Sequence, residues 1–290
     1  MLSASLSLFA RLTCAEHATI AGERLTAWES FLELLPTLFP SPAEHSPPLA
    51  SESTCFGAAV QAAYHALKTT GGKAIVMSCS CPNCGWGSLR PRDDPRALGT
   101  GKEASLRAPV DKLYTDLGSR CADAQVSVDY VLMCPQTVDL FSCGQVPLNC
   151  GGRVYNWPGY NPKWDGPTLD NLIARMLHRE TGWEGVGRIR VSEGLKTGRH
   201  YGPFGALRHG SDIRLPVLDS DTAFGVAFDY DGKIEQARAF VQCAYLYTTT
   251  DGHRRIRVST AAAGVSTLAS ALFRSADCEA LVGVSLVNLK

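Results

Sequence analysis

Three groups of residues in this chain of 290 are of types that could do chemistry. Cys81-Pro82-Asn83-Cys84 has the thiol spacing of a dithiol redox motif, or of one half of a zinc site. Redox use needs a helix that starts at the pair and lowers the thiol pKa. Here Gly85-Trp86-Gly87-Ser88, Pro91 and Pro95 follow, a poor start for a helix. Zinc use needs a second pair, and Cys79, Cys143 and Cys150 supply no further C-x-x-C. The histidines, His17, His45, His65, His178, His200, His209 and His253, stand beside no Ser or Cys in a nucleophile motif. The third group is arginine. Residues i and i+2 of a strand share a face, so Arg188 and Arg190 point the same way while Ile189 and Val191 pack inward. Two guanidinium forks on one surface suit a pair of carboxylates, which they grip by planar bidentate hydrogen bonds. The same alternation also describes a plain solvated strand face. No catalytic residue and no metal ligand set is expected.

Composition narrows the classes further. Lys+Arg and Asp+Glu number 28 each, so no overall field draws the chain to nucleic acid or to an anionic membrane. With 45% hydrophobic residues it can bury a full core. Eleven cysteines, an odd number and mostly inside apolar runs, read as free thiols of a reducing compartment rather than a disulfide framework. No apolar run approaches the ~18 residues of a membrane span. Met1 to Ala10 lacks the basic segment that opens a signal peptide.

Two kinds of element must position these residues. In the first part, helices alternate with buried strands. Leu25, Trp28, Phe31, Leu32 and Leu35 mark a helix within Gly22 to Phe39, ended or kinked by Pro36, and Pro40 to Pro48 is a loop. Ser53 or Thr54 caps a second helix that buries Phe56, Val60, Ala63 and Leu67, and Gly71-Gly72 stops it. Lys73 to Ser78 reads as a strand covered on both faces. After a long loop, Val110, Leu113, Tyr114, Leu117 and Cys121 mark a third helix, and Val126 to Met133 a second buried strand. Gly151-Gly152 turns into a third strand, Arg153 to Trp157. A last helix carries Leu169, Leu172, Ile173, Met176 and Leu177, with Pro167 at its first position and Gly182 at its end. This order predicts a parallel α/β sheet. Near residue 184 the pattern changes to short β runs: Gly187 to Ser192, Arg199 to Leu207, Ala223 to Tyr230, Ala239 to Thr249 and His253 to Thr260. Thr250-Asp251-Gly252 joins the last two as a hairpin. From Thr267 the chain turns helical again, with Leu268, Leu272, Leu281 and Val284 as packing positions.

The β part resembles a known family. Ser192-Glu193-Gly194-Leu195, Tyr201-Gly202-Pro203-Phe204, Ser211-Asp212, Leu218-Asp219-Ser220-Asp221, Gln242 to Thr248 and Arg254 to Val258 resemble, in order and spacing, the β-sandwich of the Sec24 subunit of the COPII vesicle coat. The α/β part extends the likeness to that family's von Willebrand factor A-like trunk. Its carriers are Leu34 to Phe39, Phe56 to Ala63, Leu89 to Asp94, Gly99 to Glu103, Val126 to Asp129 and Gly151 to Tyr155. The likeness runs from about residue 22 to 287. It stops short of the family's zinc finger and first trunk strands on one side, and of its full helical and gelsolin-like domains on the other.

The resemblance implies a partial trunk over residues 1–183, a parallel sheet with helices. An antiparallel β-sandwich over 184–262 and the start of a helical domain over 263–290 follow. It implies a coat component and cargo adaptor rather than an enzyme, peripheral at the cytoplasmic face of the endoplasmic reticulum. The partners would be a Sec23-type subunit and the cytosolic tails of membrane cargo, with no nucleic acid. Arginines matching Arg188 and Arg190, with an apolar residue matching Leu246, form the family's pocket for acidic and Leu-containing export signals. Arg255 and Arg257 lie on a strand shared with the Sec23 subunit, which implies a fold-defining role. No metal or cofactor is implied, since the zinc finger falls outside the likeness and no D-x-S-x-S adhesion motif follows a first strand. The alternatives from other classes are a cytosolic thiol-redox protein using Cys81 and Cys84, and an extracellular adhesion domain, which would need disulfides. An unpaired edge of the trunk sheet is also expected, because the sheet's first strands are missing from the likeness.

Overall fold

The structure is a computed structural model that describes Ser30, Glu33, Leu34, Thr37 and residues 54–92, 95–208 and 212–288. Those first four are helical. The rest of the helix expected over 22–39, the loop at 40–48, Ser53 as a cap, Asp93-Asp94, Ser211, Cys14 and three histidines (17, 45 and 209) lie outside the described residues.

The α/β layer is built on three parallel strands, β1 (Gly72–Ser78), β2 (Val126–Leu132) and β3 (Val154–Asn156), in the order β1-β2-β3. Every residue of the central β2 is buried, as its Val-rich run predicts. Strand β1 is less fully covered than expected, with Met77 45% exposed, and among the described residues it is the sheet's edge. Helix α1 (Phe56–Leu67) buries Phe56, Val60 and Leu67, with Ala63 half-buried. Its cap position is Cys55, without a side-chain bond. Thr54 instead bridges to Pro82, and its backbone N–H donates to Asn83 Oδ1 at 3.0 Å. Past the short α2 (Glu103–Leu106), helix α3 (Leu113–Asp123) packs Tyr114, Leu117 and Cys121 into the same core, while Val110 and Leu113 stay exposed. Phe56 meets Tyr130 of β2 with ring centroids 4.2 Å apart, and the Tyr130 hydroxyl shares a hydrogen bond with Ser78.

Short helices α4 (Leu140–Cys143) and α5 (Gln145–Cys150) return the chain to the sheet. Gly151 ends α5 in the left-handed region at φ 76°, and Gly152 passes so close to β2 that a Cβ there would stand 1.9 Å from the Val128 carbonyl oxygen. This glycine pair is what lets β3 lie beside β2. Helix α6 (Pro162–His178) starts earlier than expected, with Asn161 capping it and Pro162 in its first turn. Pro167 therefore sits inside the helix, and Leu177 is 67% exposed. Gly182 belongs to the next strand rather than to the helix end; a Cβ on it would meet the Tyr247 ring at 2.7 Å.

The rest is antiparallel. Strands β4 (Thr181–Val191), β5 (Leu195–Tyr201), β6 (Gly205–Arg208), β7 (Asp212–Asp219), β8 (Gly225–Tyr230), β9 (Arg238–Thr249) and β10 (Arg254–Gly264) form two sheets. One has the order β10-β9-β4-β7-β6, the other pairs β5 with β8. Gly202, at φ 143°, breaks the run expected at 199–207 into β5 and β6 of different sheets. Strand β7 is the element the sequence reading missed, because Pro216 stands in it. Pro216 is tolerated where β4 is irregular: the pairings on either side are Trp183 with Val217 and Gly185 with Leu215, and Glu184 between them has φ 52°. The missing N–H falls where the ladder is already broken. Between the sheets lie Ile189, Ile213 and Leu215, with Phe204, Phe224, Val226, Val241 and Tyr245 against them.

The two halves meet at a network of charge. Arg153, before β3, donates to Asp219 at the end of β7 at 2.7 Å, and Arg179, after α6, approaches Asp219 at 3.1 Å and Asp221 at 3.0 Å. Arg175 of α6 grips Asp221 with two bonds of 3.0 and 2.7 Å. Beyond the sandwich, α7 (Ala269–Ser275) and α8 (Cys278–Asn288) continue the chain. Leu268, Leu272 and Leu281 are more than half exposed and do not act as packing positions; the side chain of Val284 lies outside the description.

Candidate functional site

Strand β4 alternates as the arginine pattern predicts. Gly185, Gly187 and Ile189 are buried on its inner face, and Val186, Arg188 and Arg190 are exposed on its outer face. Register extends that outer face across the sheet. Val186 stands opposite Leu246 of β9, which stands opposite Ile256 of β10; the next row is Arg188, Ala244 and Val258; the next is Arg190, Gln242 and Thr260. Leu246 therefore shares the face of Arg188 and Arg190, one strand over and one row along. All three predicted residues come together.

The register brings three things the sequence reading did not. First, the apolar part of the face is wider than Leu246: Val186 is 39% exposed, Ile256 70% and Val258 54%. Strand β10 is the sheet's edge, so Ile256 and Val258 carry no packing role there and lie outward beside Leu246, while Arg255 and Arg257 alternate onto the other side and are exposed as well. Second, Arg188 already has a carboxylate. Asp212 of β7, directly across from it, accepts from Nε at 2.5 Å and from Nη2 at 2.7 Å. The hydrogen bond to Asp212, and then its charge, raise the Arg188 pKa. Third, Arg190 makes one long contact, Nη1 to Gln242 Oε1 at 3.4 Å. It borders a shallow depression of about 250 Å³ with Val191, Ser192, Phe240, Gln242 and Thr260. This face can hold an anion with an apolar neighbour. The only sequence signal for Asp212 was its place in the family-like run at 211–212; its pairing with Arg188 is a tertiary fact.

The thiol pair sits differently. Cys81 and Cys84 are half-buried in a stretch of bends and turns, Cys81 packs on the α/β core, and the next helix starts only at Glu103. No helix starts at the pair itself; the start of α1 lies beside it, where the Cys84 N–H donates to the Thr54 carbonyl at 3.3 Å, two residues before Phe56. Cys121, Cys134, Cys143 and Cys150 are buried, and burial pushes the Cys121 and Cys143 thiols up to about 12. The sulfurs of Cys121 and Cys143 therefore stay protonated near neutral pH. Among the described residues no group of three or more His, Cys, Asp or Glu side chains could hold a metal ion, and no helix is long and apolar enough to cross a membrane. His65, His178 and His253 are exposed, and His200 lies edge-on to Phe204.

Comparison with known proteins adds an independent line. The family model for the Sec23/Sec24 trunk domain matches residues 22–177, and that for the Sec23/Sec24 beta-sandwich domain matches residues 182–266. The chain is 33% identical over 265 residues to protein transport protein SEC24 A of Arabidopsis thaliana, covering 91% of this chain and 25% of that protein. It is 37% identical over 256 residues to SEC24 B of the same plant, covering 87% of this chain and 23% of that protein. The crystal structure of the human COPII-coat protein Sec24c aligns with a TM-score of 0.82 at 28% identity, over 90% of this chain and 35% of that one. The chain thus spans about a quarter of the length of the curated relatives it matches.

Proposed function

Because the chain belongs to the Sec23/Sec24 family, as a Sec24-type fragment with trunk and β-sandwich domains, we propose that it acts as a coat component and cargo adaptor in transport from the endoplasmic reticulum to the Golgi. In this reading it is no enzyme. It works at the cytoplasmic face of the endoplasmic reticulum, peripheral to the membrane through the COPII coat, beside a Sec23-type subunit. Residues 1–183 serve as trunk, 184–262 as β-sandwich and 263–290 as the start of a helical domain. The ligand is an acidic export signal on a cargo tail. One observation carries the reading: Arg190, nearly free of partners, lies on one exposed face with Arg188 and the apolar Leu246. A carboxylate docks on the Arg190 fork, and a leucine of the same peptide covers Leu246 and its neighbours Val186 and Ile256.

Fluorescence polarisation with an acidic, leucine-containing peptide tests it. Arg190→Glu should abolish binding by repulsion, Arg190→Ala should weaken it roughly tenfold, and Arg190→Lys should keep part, because the charge remains but the fork is lost. Leu246→Ala should weaken binding without changing its salt dependence, since an apolar contact is not screened. Equal binding by all four variants, and by a scrambled acidic peptide, would overturn the reading.

A further inference from the structure

The Arg188–Asp212 pair makes the two arginines of this face unequal. Both project outward two residues apart on β4, so their Cα atoms stand about 7 Å apart. Arg190 offers most of its N–H groups to solvent, whereas the Nε–Nη2 edge of Arg188, one of its two bidentate edges, is filled by Asp212, which leaves only the end-on Nη1–Nη2 edge. Asp212 is itself 24% exposed and Arg188 47%, so the pair lies open to an arriving ligand rather than sealed in the core. The pairing is fixed by the β4–β7 register, which sets Arg188 directly across from Asp212. Asp212 is thus held in place as a carboxylate of the protein's own, on the fork that a ligand would use.

We propose that Asp212 is a specificity-determining residue of this face, an internal competitor that occupies Arg188 until a ligand carboxylate replaces it. The proposal rests on the preceding reading of the face as an anion site. A ligand with one carboxylate takes Arg190 and leaves the Arg188–Asp212 pair intact. A ligand with two either displaces Asp212 from the Nε–Nη2 edge or takes the Nη1–Nη2 edge of Arg188 beside it, and in both cases its second carboxylate must tolerate the Asp212 charge nearby. The second carboxylate therefore adds little net affinity while Asp212 is present, and binding stays readily reversible. The shape and apolar rows of the face are untouched by the exchange, so Asp212 sets how strongly charge counts without setting where the peptide lies.

The test uses two labelled peptides of one sequence, one with two glutamates spaced to reach both arginines, the other with the Arg188-side glutamate replaced by glutamine. Affinities are measured on the parent chain, Asp212→Asn and Asp212→Ala, after matched thermal midpoints show that each is folded. The two-glutamate peptide should bind about fivefold tighter to Asp212→Asn, and at least as much tighter to Asp212→Ala, the upper range for a solvent-exposed ion pair. The one-glutamate peptide should change by less than about twofold. In an Arg188→Ala background, replacing Asp212 should change neither. Should Asp212→Asn and Asp212→Ala weaken binding, or tighten both peptides alike, the residue orients or merely flanks Arg188 and the proposal falls, with the anion-site reading intact. If neither peptide binds the parent above a scrambled control, the anion-site reading falls and takes the proposal with it.

Discussion

Replacing Asp219 by alanine should cost more than any other single charge removal in the β part, and the reason lies in what it leaves behind. Its side chain is 5% exposed, that of Arg179 7% and that of Arg153 23%. Asp219 accepts from Arg153 at 2.7 Å and from the Thr222 hydroxyl at 3.0 Å, with Arg179 at 3.1 Å. Removing the carboxylate leaves Arg179 with Asp221 alone at 3.0 Å and Arg153 with Asp221 at 3.9 Å, so the loss should lie at the low end of the about 3–5 kcal/mol that breaking a buried pair from one side costs. With a urea m-value of about 3 kcal/mol/M, the upper range for small proteins, the midpoint should fall by about 1 M. Burial alone would push the Asp219 carboxyl up, but the charge and hydrogen bond of Arg153, then Arg179 and Thr222, hold it below the ordinary carboxylate range. A depressed folded pKa gives stability above the unfolded pKa of about 4 that is lost as pH falls through the folded value. The gap in stability between the parent and Asp219→Asn should therefore be flat from pH 8 to 5 and close in stronger acid. Urea melts followed by circular dichroism at each pH measure this. An Asp219→Ala midpoint within error of the parent, or a gap that widens on acidification, would refute the account.

Two further outcomes follow from burial and from the sheet edge. Native alkylation at pH 8, mapped by mass spectrometry, should label Cys55, Cys79 and Cys278, which are exposed, and spare Cys121, Cys143 and Cys150 until denaturant is added; label on native Cys143 would contradict its burial and its pKa of about 12. The edge of β1, which no described residue pairs, should drive self-association, and Met77→Lys should shift the light-scattering mass toward monomer, because a lysine on an open edge opposes strand addition. A parent that is monodisperse and monomeric would show that this edge is covered.

How much was legible depends on the range of the determining contacts. Helix α3 and strand β2 could be read from sequence because their neighbours are near and their patterns pure: seven buried residues in a row, and an apolar stripe at Tyr114, Leu117 and Cys121. The face of Arg188 and Arg190 could be read for the same reason, since alternation along one strand is local. What failed was set elsewhere in the chain. Strand β7 was hidden by Pro216, whose tolerance depends on the break in β4 at Glu184. Helix α6 begins at Pro162 because Asn161 caps it, and this cap was overlooked in favour of Pro167. The packing assigned to Leu268, Leu272 and Leu281 assumed partners that the described residues do not provide. Asp212 as the partner of Arg188 needed the register of two strands, which no periodicity supplies.

The strand that carries the arginines is also one that the fold holds firmly, and that bears on how the face can discriminate. Strand β4 lies between β9 and β7, with neighbours on both edges. On its inner side, Gly185 lies so close to β7 that a Cβ would stand 2.7 Å from the Leu215 carbonyl oxygen, and at Gly187 one would touch the Tyr245 ring at 3.1 Å. Backbone packed this tightly has little room to shift, so the spacing of Arg188 and Arg190 is set by the strand and not chosen by the ligand. Leu246 is placed by the same register, through its pairing with Val186. A peptide that meets these points pays mainly for its own ordering, because the protein side is already arranged. The charged contact on the face that can adjust is the ion pair between Arg188 and Asp212, made by two partly exposed side chains rather than by backbone. Selectivity among acidic ligands is therefore expected to change with Asp212 while the position of the bound peptide does not.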